Sequence, residues 1–142
     1  MTLEEIQNMA DKDLTINDVE LDIESLKTPQ LHNKYSKYHS KYKNLLKVSE
    51  QDLARIVREK WEYYTGKADP SVYQEKPFNL KVLRQDVDKY IKSDPDVNKL
   101  EQKVTYIETT VDYLEKTLKI ISNRTFTIKN AIDWKKFTSG VI

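Results

Sequence analysis

The chain has 142 residues, 38% apolar and 33% charged, with a formal net charge of +1 and no cysteine. That length suits one domain or two small lobes, and the missing thiols exclude disulfides, thiolate nucleophiles and cysteine zinc sites, as fits a reducing cytosol. No run of about 18 apolar residues is present to span a membrane, and the acidic start Met1-Thr2-Leu3-Glu4-Glu5 lacks the apolar segment of a secretory signal.

The small net charge hides an uneven distribution. Residues 1–30 carry eight acids and two lysines, residues 31–67 nine bases and four acids, and residues 68–142 thirteen bases and eleven acids. An acidic arm thus precedes a basic middle and a balanced C-terminal part. Such a middle invites an anionic partner, or is a solvated helix face with its own ion pairs.

Glycine occurs only at 66 and 140 and proline at 29, 70, 77 and 95, so few breakers divide long helical stretches. Thr2-x-x-Glu5 is a capping box opening a helix to about Lys12. Leu14-Thr15-Ile16 alternates like a short strand, giving a possible minor two-stranded β element in the N-terminal lobe. Asn17-x-x-Glu20 opens a second helix ending near Lys27. Thr28-Pro29 then sets an N-cap and first-turn proline for a helix running to about Thr65, roughly 55 Å at about 1.5 Å per residue. Gly66 stops it. Residues 66–79 form the one clear loop, and Leu80, Leu83, Val87 and Tyr90/Ile91 space a third helical segment. Asp94-Pro95-Asp96 restarts a helix.

From there Val97, Leu100, Val104, Ile107, Val111, Leu114, Leu118 and Ile121 alternate at three and four residues, a heptad stripe flanked by Tyr106 and Tyr113. Each such aliphatic contributes on the order of 1.5–3 kcal/mol when buried. Ser122-Asn123-Arg124-Thr125 reads as an interruption. An amphipathic end with Phe126, Ile128, Ala131, Ile132, Trp134 and Phe137 follows, closed by Gly140. The fold is therefore mainly α: an N-terminal helical lobe over 1–65, a linker over 66–79 and a C-terminal helical lobe over 80–142. The stripe packs against the 29–65 helix or between copies. Two seams and an amphipathic end exceed what one small chain covers, so Val97 to Ile121, with Phe126 and Trp134, are expected to build a homo-oligomer.

Catalytic signatures are missing. Gly66-Lys67 lacks the upstream glycine and preceding strand of a phosphate loop. His32 and His39 lack a third ligand, so no metal is expected. Asp86/Asp88 and Asp22/Glu24 are two apart and diverge on a helix. Neither an enzyme nor a cofactor is expected.

The basic middle is more informative. In Lys34-Tyr35-Ser36-Lys37-Tyr38-His39-Ser40-Lys41-Tyr42-Lys43, the lysines at 34, 37 and 41 share one helical face and the tyrosines the next. Lys47, Arg55 and Arg58 follow, then Lys60, Tyr64 and Lys67 in line. Cations neutralise phosphates and aromatic rings stack on unpaired bases, a pairing suited to single strands. Tyr35, Tyr38, Tyr42 and Trp61 equally suit a core, and Arg55–Glu59 and Arg58–Glu62 are helix-supporting spacings. Arg58 and Lys60 lie about 200° apart around a helix, so one flat surface cannot hold both.

Arg58-Glu59-Lys60-Trp61-Glu62-Tyr63-Tyr64-Thr65-Gly66-Lys67 resembles the basic–x–basic motif, followed by an acid, two tyrosines, a hydroxyl, glycine and a base, of the UvsY recombination mediators of T-even-type phages. Leu3 to Gln7, Lys34 to Lys41, Ser93 to Val97 and Ser122 to Lys129 resemble the family in the same order. The resemblance implies a ring of six or seven copies that binds single-stranded DNA. It also implies loading of a phage RecA-like recombinase onto strands coated by the phage single-strand-binding protein, in the cytoplasm of the infected bacterial host. It assigns DNA binding to Arg58 and Lys60, with Glu59 and Trp61 departing from the pattern. Those departures shift the expected strand contact toward Lys67 and the lysines Lys41, Lys43 and Lys47; Tyr64 and Arg55, in line with these cations along the helix, are the remaining candidate contacts. The alternative is a coiled-coil scaffold or adaptor that binds no nucleic acid.

Overall fold

The computed structural model describes residues 1–140; the last two residues of the expected 80–142 lobe lie outside them. Among the described residues six α-helices follow one another: α1 (Leu3–Asp13), α2 (Leu21–Leu26), α3 (Thr28–Tyr64), α4 (Pro70–Glu75), α5 (Val87–Lys92) and α6 (Pro95–Thr138).

Local chemistry sets their limits. Thr2 Oγ1 accepts from the Glu5 N–H at 3.1 Å while Glu5 Oε2 accepts from the Thr2 N–H at 2.7 Å, completing the capping box. The short strand expected at Leu14–Ile16 does not form, and no strand occurs among the described residues. Leu14 instead donates back to the Ala10 carbonyl and the Thr15 hydroxyl to the Asp11 carbonyl, and a strand has no neighbour to pair with among these helices. The second helix starts late because Asn17 Oδ1 accepts from the Val19 N–H in a local turn. Thr28 does not cap α3. Only Lys27 separates α2 from α3, its carbonyl accepts from the Leu31 N–H, and the Thr28 hydroxyl is buried with no protein partner.

At the far end of α3 the Gly66 N–H reaches the Tyr63 carbonyl and the Lys67 N–H the Glu62 carbonyl. Gly66 sits at φ +77°, the left-handed cap in which glycine is the least strained residue. The expected 66–79 loop contains α4, which begins where Asp69 Oδ1 accepts from both Ser71 N–H and Ser71 Oγ–H and Pro70 opens the first turn. The third segment is helical only over α5, entered through a 3₁₀ turn at Arg84–Asp86, and Leu80 and Leu83 are exposed. Asp94 does open α6, its Oδ1 accepting from the N–H groups of Asp96 and Val97 at 2.8 and 3.3 Å. The expected break at Ser122–Thr125 is absent: α6 runs unbroken for 44 residues, and its buried face continues through Ile121, Arg124 and Ile128 at helical spacing.

The chain forms two compact units, drawn from different stretches than the lobes read from sequence. One holds Met1–Lys43 and the chain from Thr109 on, the other Asn44–Glu108. In the first, Ile6, Ala10, Leu21, Tyr35, Tyr42, Val111, Leu114, Ile121 and Ile128 are buried. Polar anchors tie its helices together. Asp13 accepts from Lys34 at 2.6 Å and from the Tyr35 hydroxyl at 2.8 Å, and Tyr42 donates to the Met1 carbonyl at 2.8 Å. Arg124, 3% exposed, donates to the carboxylate and the carbonyl of Glu24. Burial there would raise the Glu24 pKa, but the bond from Lys27, first, and that from Arg124 hold it below its usual range.

In the second unit Val87, Ile91 and Val97 form a core flanked by Leu53, Ile56, Val57, Tyr64 and Val82. At its edge Asp94 accepts from the Tyr64 hydroxyl at 2.6 Å and lies 3.3 Å from the Lys60 ammonium, which donates to Asp96 at 2.8 Å. Burial works against both charges. The Tyr64 hydroxyl, two backbone N–H groups and Lys60 nevertheless keep Asp94 below the usual carboxylate range, and Asp96 and Asp94 keep Lys60 above the usual lysine range.

Glu24→Ala leaves the buried Arg124 guanidinium without a counter-charge, holding only the residue-24 carbonyl, and is expected to cost about 3 kcal/mol, read as a lowered denaturation midpoint; an unchanged midpoint would show the pair to be dispensable. Asp94, with a depressed folded pKa, contributes fully above its unfolded value of about 3.9 and loses that contribution as pH falls through the folded value. Lys60, with a raised folded pKa, contributes fully below about 10.4 and loses it as pH rises through the folded value. The cluster is thus expected to hold stability level from about pH 5 to about pH 9. Asp94→Asn is expected to cost about 3 kcal/mol at neutral pH and to flatten the acid limb of the curve, measured by denaturant melts across pH.

Candidate nucleic-acid interface

The C-terminal half of α3 sorts its cations by helical angle. Lys47 and Arg58, three turns apart, lie within about 20° of one another, and Trp61 lies about 40° to the other side of Lys47. All three are exposed, with the Arg58 side chain 71% accessible. Arg58 reaches Glu62 only at 4.0 Å, and Arg55 is held by Asp52 at 3.2 Å; such exposed pairs are weak and leave both guanidiniums open to a phosphate. Because Gly66 reverses the chain, Lys67 folds back over α3 and places its ammonium 4.6 Å from the centre of the Trp61 ring. Trp61 is 41% exposed, so a cation and an aromatic face are presented side by side to solvent.

Lys60 and Tyr64 point the other way. The Lys60 side chain is only 15% accessible and is committed to Asp94 and Asp96, and the Tyr64 hydroxyl is bound by Asp94. The near-opposite angle of Arg58 and Lys60 thus becomes a division between an outward cation and an inward one. The sequence reading passed over the aromatic cluster beside them: Tyr63 stacks on Tyr73 at 5.4 Å and 16°, and Phe78 meets Tyr63, Tyr64 and Tyr90. The signal was Asp69-Pro70-Ser71, a helix start whose helix, α4, brings Tyr73 back to donate to the Tyr63 carbonyl at 2.8 Å.

In the other compact unit, Tyr35 and Tyr42 are core residues and Tyr38 is half-buried. Lys41 and Lys43 are exposed, Lys41 lying 5.9 Å from the Tyr42 ring centre. His39 meets Glu115 at 3.1 Å, and among the described residues no group of His, Asp and Glu side chains is placed to hold a metal ion.

The residues expected to join copies divide sharply. Val97, Val104, Ile107, Val111, Leu114 and Ile121 are buried within the chain itself, and Leu100 and Leu118 are half-buried. Their cover comes from within the same chain, so the stripe is not a free seam. Phe126 and Trp134 are 65% and 64% exposed, and Trp134 stacks with the equally exposed Phe137 at 5.8 Å. No helix among the described residues is long and apolar enough to cross a membrane.

A model of the family of recombination, repair and ssDNA binding protein UvsY matches residues 9–141. The recombination protein UvsY of Enterobacteria phage T4 is 24% identical over 140 residues, covering 99% of each chain. Crystal structures of the bacteriophage T4 recombination mediator protein UvsY share the fold. One superimposes with a TM-score of 0.86 at 24% identity over 98% of both chains, and another at 0.83 and 23% identity over 97% of this chain and 99% of that one. A match over nearly the whole length, joined to this helical architecture, places the chain in the UvsY family of recombination, repair and single-stranded-DNA-binding proteins.

Proposed function

We propose that the chain is a recombination mediator that holds single-stranded DNA along the outward face of α3 in its second unit and acts as a homo-oligomeric ring. The observation that carries this is the Lys67 ammonium over the exposed Trp61 ring, with Arg58 open beside it. Arg58, Lys67, Lys47 and Arg55 neutralise successive phosphates, and Trp61 supplies a ring on which a base stacks. Lys60 and Tyr64 act through the fold: by holding the start of α6 at Asp94 they position the strip without touching the strand.

Assembly falls to the apolar groups that the chain leaves uncovered on α6, namely Ile120, Phe126, Trp134 and Phe137. Repeating a modest cationic strip around a ring turns weak contacts into avid binding, since each further contact is intramolecular. A protein of this kind gathers a strand already coated by single-strand-binding protein and hands it to a RecA-like recombinase in the infected host's cytoplasm. It needs no nucleotide of its own for that, only contacts that are weak singly and strong together.

Arg58→Ala with Lys67→Ala is expected to weaken oligo(dT) binding and lower the salt slope by about 1.4, at about 0.7 per phosphate contact, leaving thermal stability unchanged. Lys60→Ala is expected to do the reverse, lowering the melting temperature while the folded protein keeps its salt slope. A fluorescence titration in which the first variant binds like the parent would place the strand elsewhere. Trp134→Glu with Phe137→Glu is expected to reduce the sedimenting mass and, with it, apparent affinity; a monomeric parent protein would sink the ring.

A further inference from the structure

We propose that a groove on the first half of α3, centred on Lys37, Tyr38 and Lys41, is a second contact for single-stranded DNA, separate from the Arg58–Trp61–Lys67 strip. This rests on the reading of the chain as a single-strand binder and adds a site to it. The groove has a volume of about 420 Å³ and is lined by Gln30, Asn33, Lys34, Lys37, Tyr38 and Lys41. No acid lines it among the described residues. Asp13, which reaches its edge, is occupied by Lys34 at 2.6 Å and by the Tyr35 hydroxyl. That ion pair fixes Lys34 and leaves Lys37 and Lys41, both exposed and neither in a described ion pair, as the open charges.

The lining chemistry selects the ligand. Lys37 and Lys41 are one helical turn apart on one face, about 6 Å along the axis, a spacing that lets two ammoniums meet neighbouring phosphates. The Tyr38 ring is braced at 6.3 Å by the buried Tyr35 ring, so it is held in place without losing its exposed side. A base laid on that side would have the carboxamides of Gln30 and Asn33 within the same groove, able to donate and accept on a base edge. An acidic peptide would use the lysines but leave the ring and amides idle, and a duplex would offer the ring no unpaired base.

The test uses the full chain and oligo(dT). Lys37→Gln with Lys41→Gln removes two exposed charges while keeping helix propensity. It is expected to reduce affinity about tenfold near 0.1 M salt and to lower the salt slope by about 1.4, with an unchanged thermal melt. Ultraviolet cross-linking with peptide mapping should find Tyr38 joined to thymine in the parent and in the Arg58→Ala, Lys67→Ala variant, and the adduct should vanish in the Lys37→Gln, Lys41→Gln variant. Unchanged affinity and slope in the latter, or no adduct at Tyr38, would overturn the second site. So would competition by polyglutamate equal to that by oligo(dT). Loss of binding only in the Lys37, Lys41 variant would uphold this site and displace the Arg58 strip, and a parent that binds no oligo(dT) would end both.

Discussion

The apolar stripe of α6 must be covered, and the chain covers it with its own residues. Val97, Val104 and Ile107 are buried in one compact unit, and Val111, Leu114 and Ile121 in the other. At on the order of 1.5–3 kcal/mol for each buried aliphatic, this burial is a leading contribution to the stability of each unit. It also decides what remains outside: aromatic side chains toward the end of α6, which the chain leaves to solvent.

Long helices buried along such a stripe risk slipping in register, and buried charges counter that risk. Moving α6 by one residue would swing Arg124 about 100° around its axis and strand it away from Glu24, an error worth several kcal/mol. Lys60 and Tyr64 on Asp94 do the same for the other unit, and Lys34 and Tyr35 on Asp13 set α1 against α3. Each of these anchors spends cations or hydroxyls that a charge count alone would have offered to DNA.

The cations assigned to the proposed DNA contacts are a selected subset of those that remain exposed. Arg58, Lys67 and Lys47 remain open on one unit, and Lys37 and Lys41 on the other, each group accompanied by an aromatic ring that is braced but not buried. The proposed contacts rely on an open cation beside an exposed ring, rather than on net charge, in a nearly neutral protein.

Sequence alone determined the helices whose signals are local. The Thr2–Glu5 capping box, the Gly66 stop, the Asp94-Pro95 start and the three–four stripe from Val97 each act within a turn or two of backbone, and each appears where its residues put it. The resemblance of the Arg58–Lys67 segment also pointed to the right family. Only the tertiary structure decided which partner the stripe takes, that Ser122–Thr125 continues the helix with Arg124 buried on Glu24, and that Lys60 faces inward while Arg58 faces out. Those outcomes depend on residues far apart in the chain: Glu24 with Arg124, Lys60 with Asp94, Asp13 with Tyr35. Helical periodicity states which side chains share a face, but not what that face will meet.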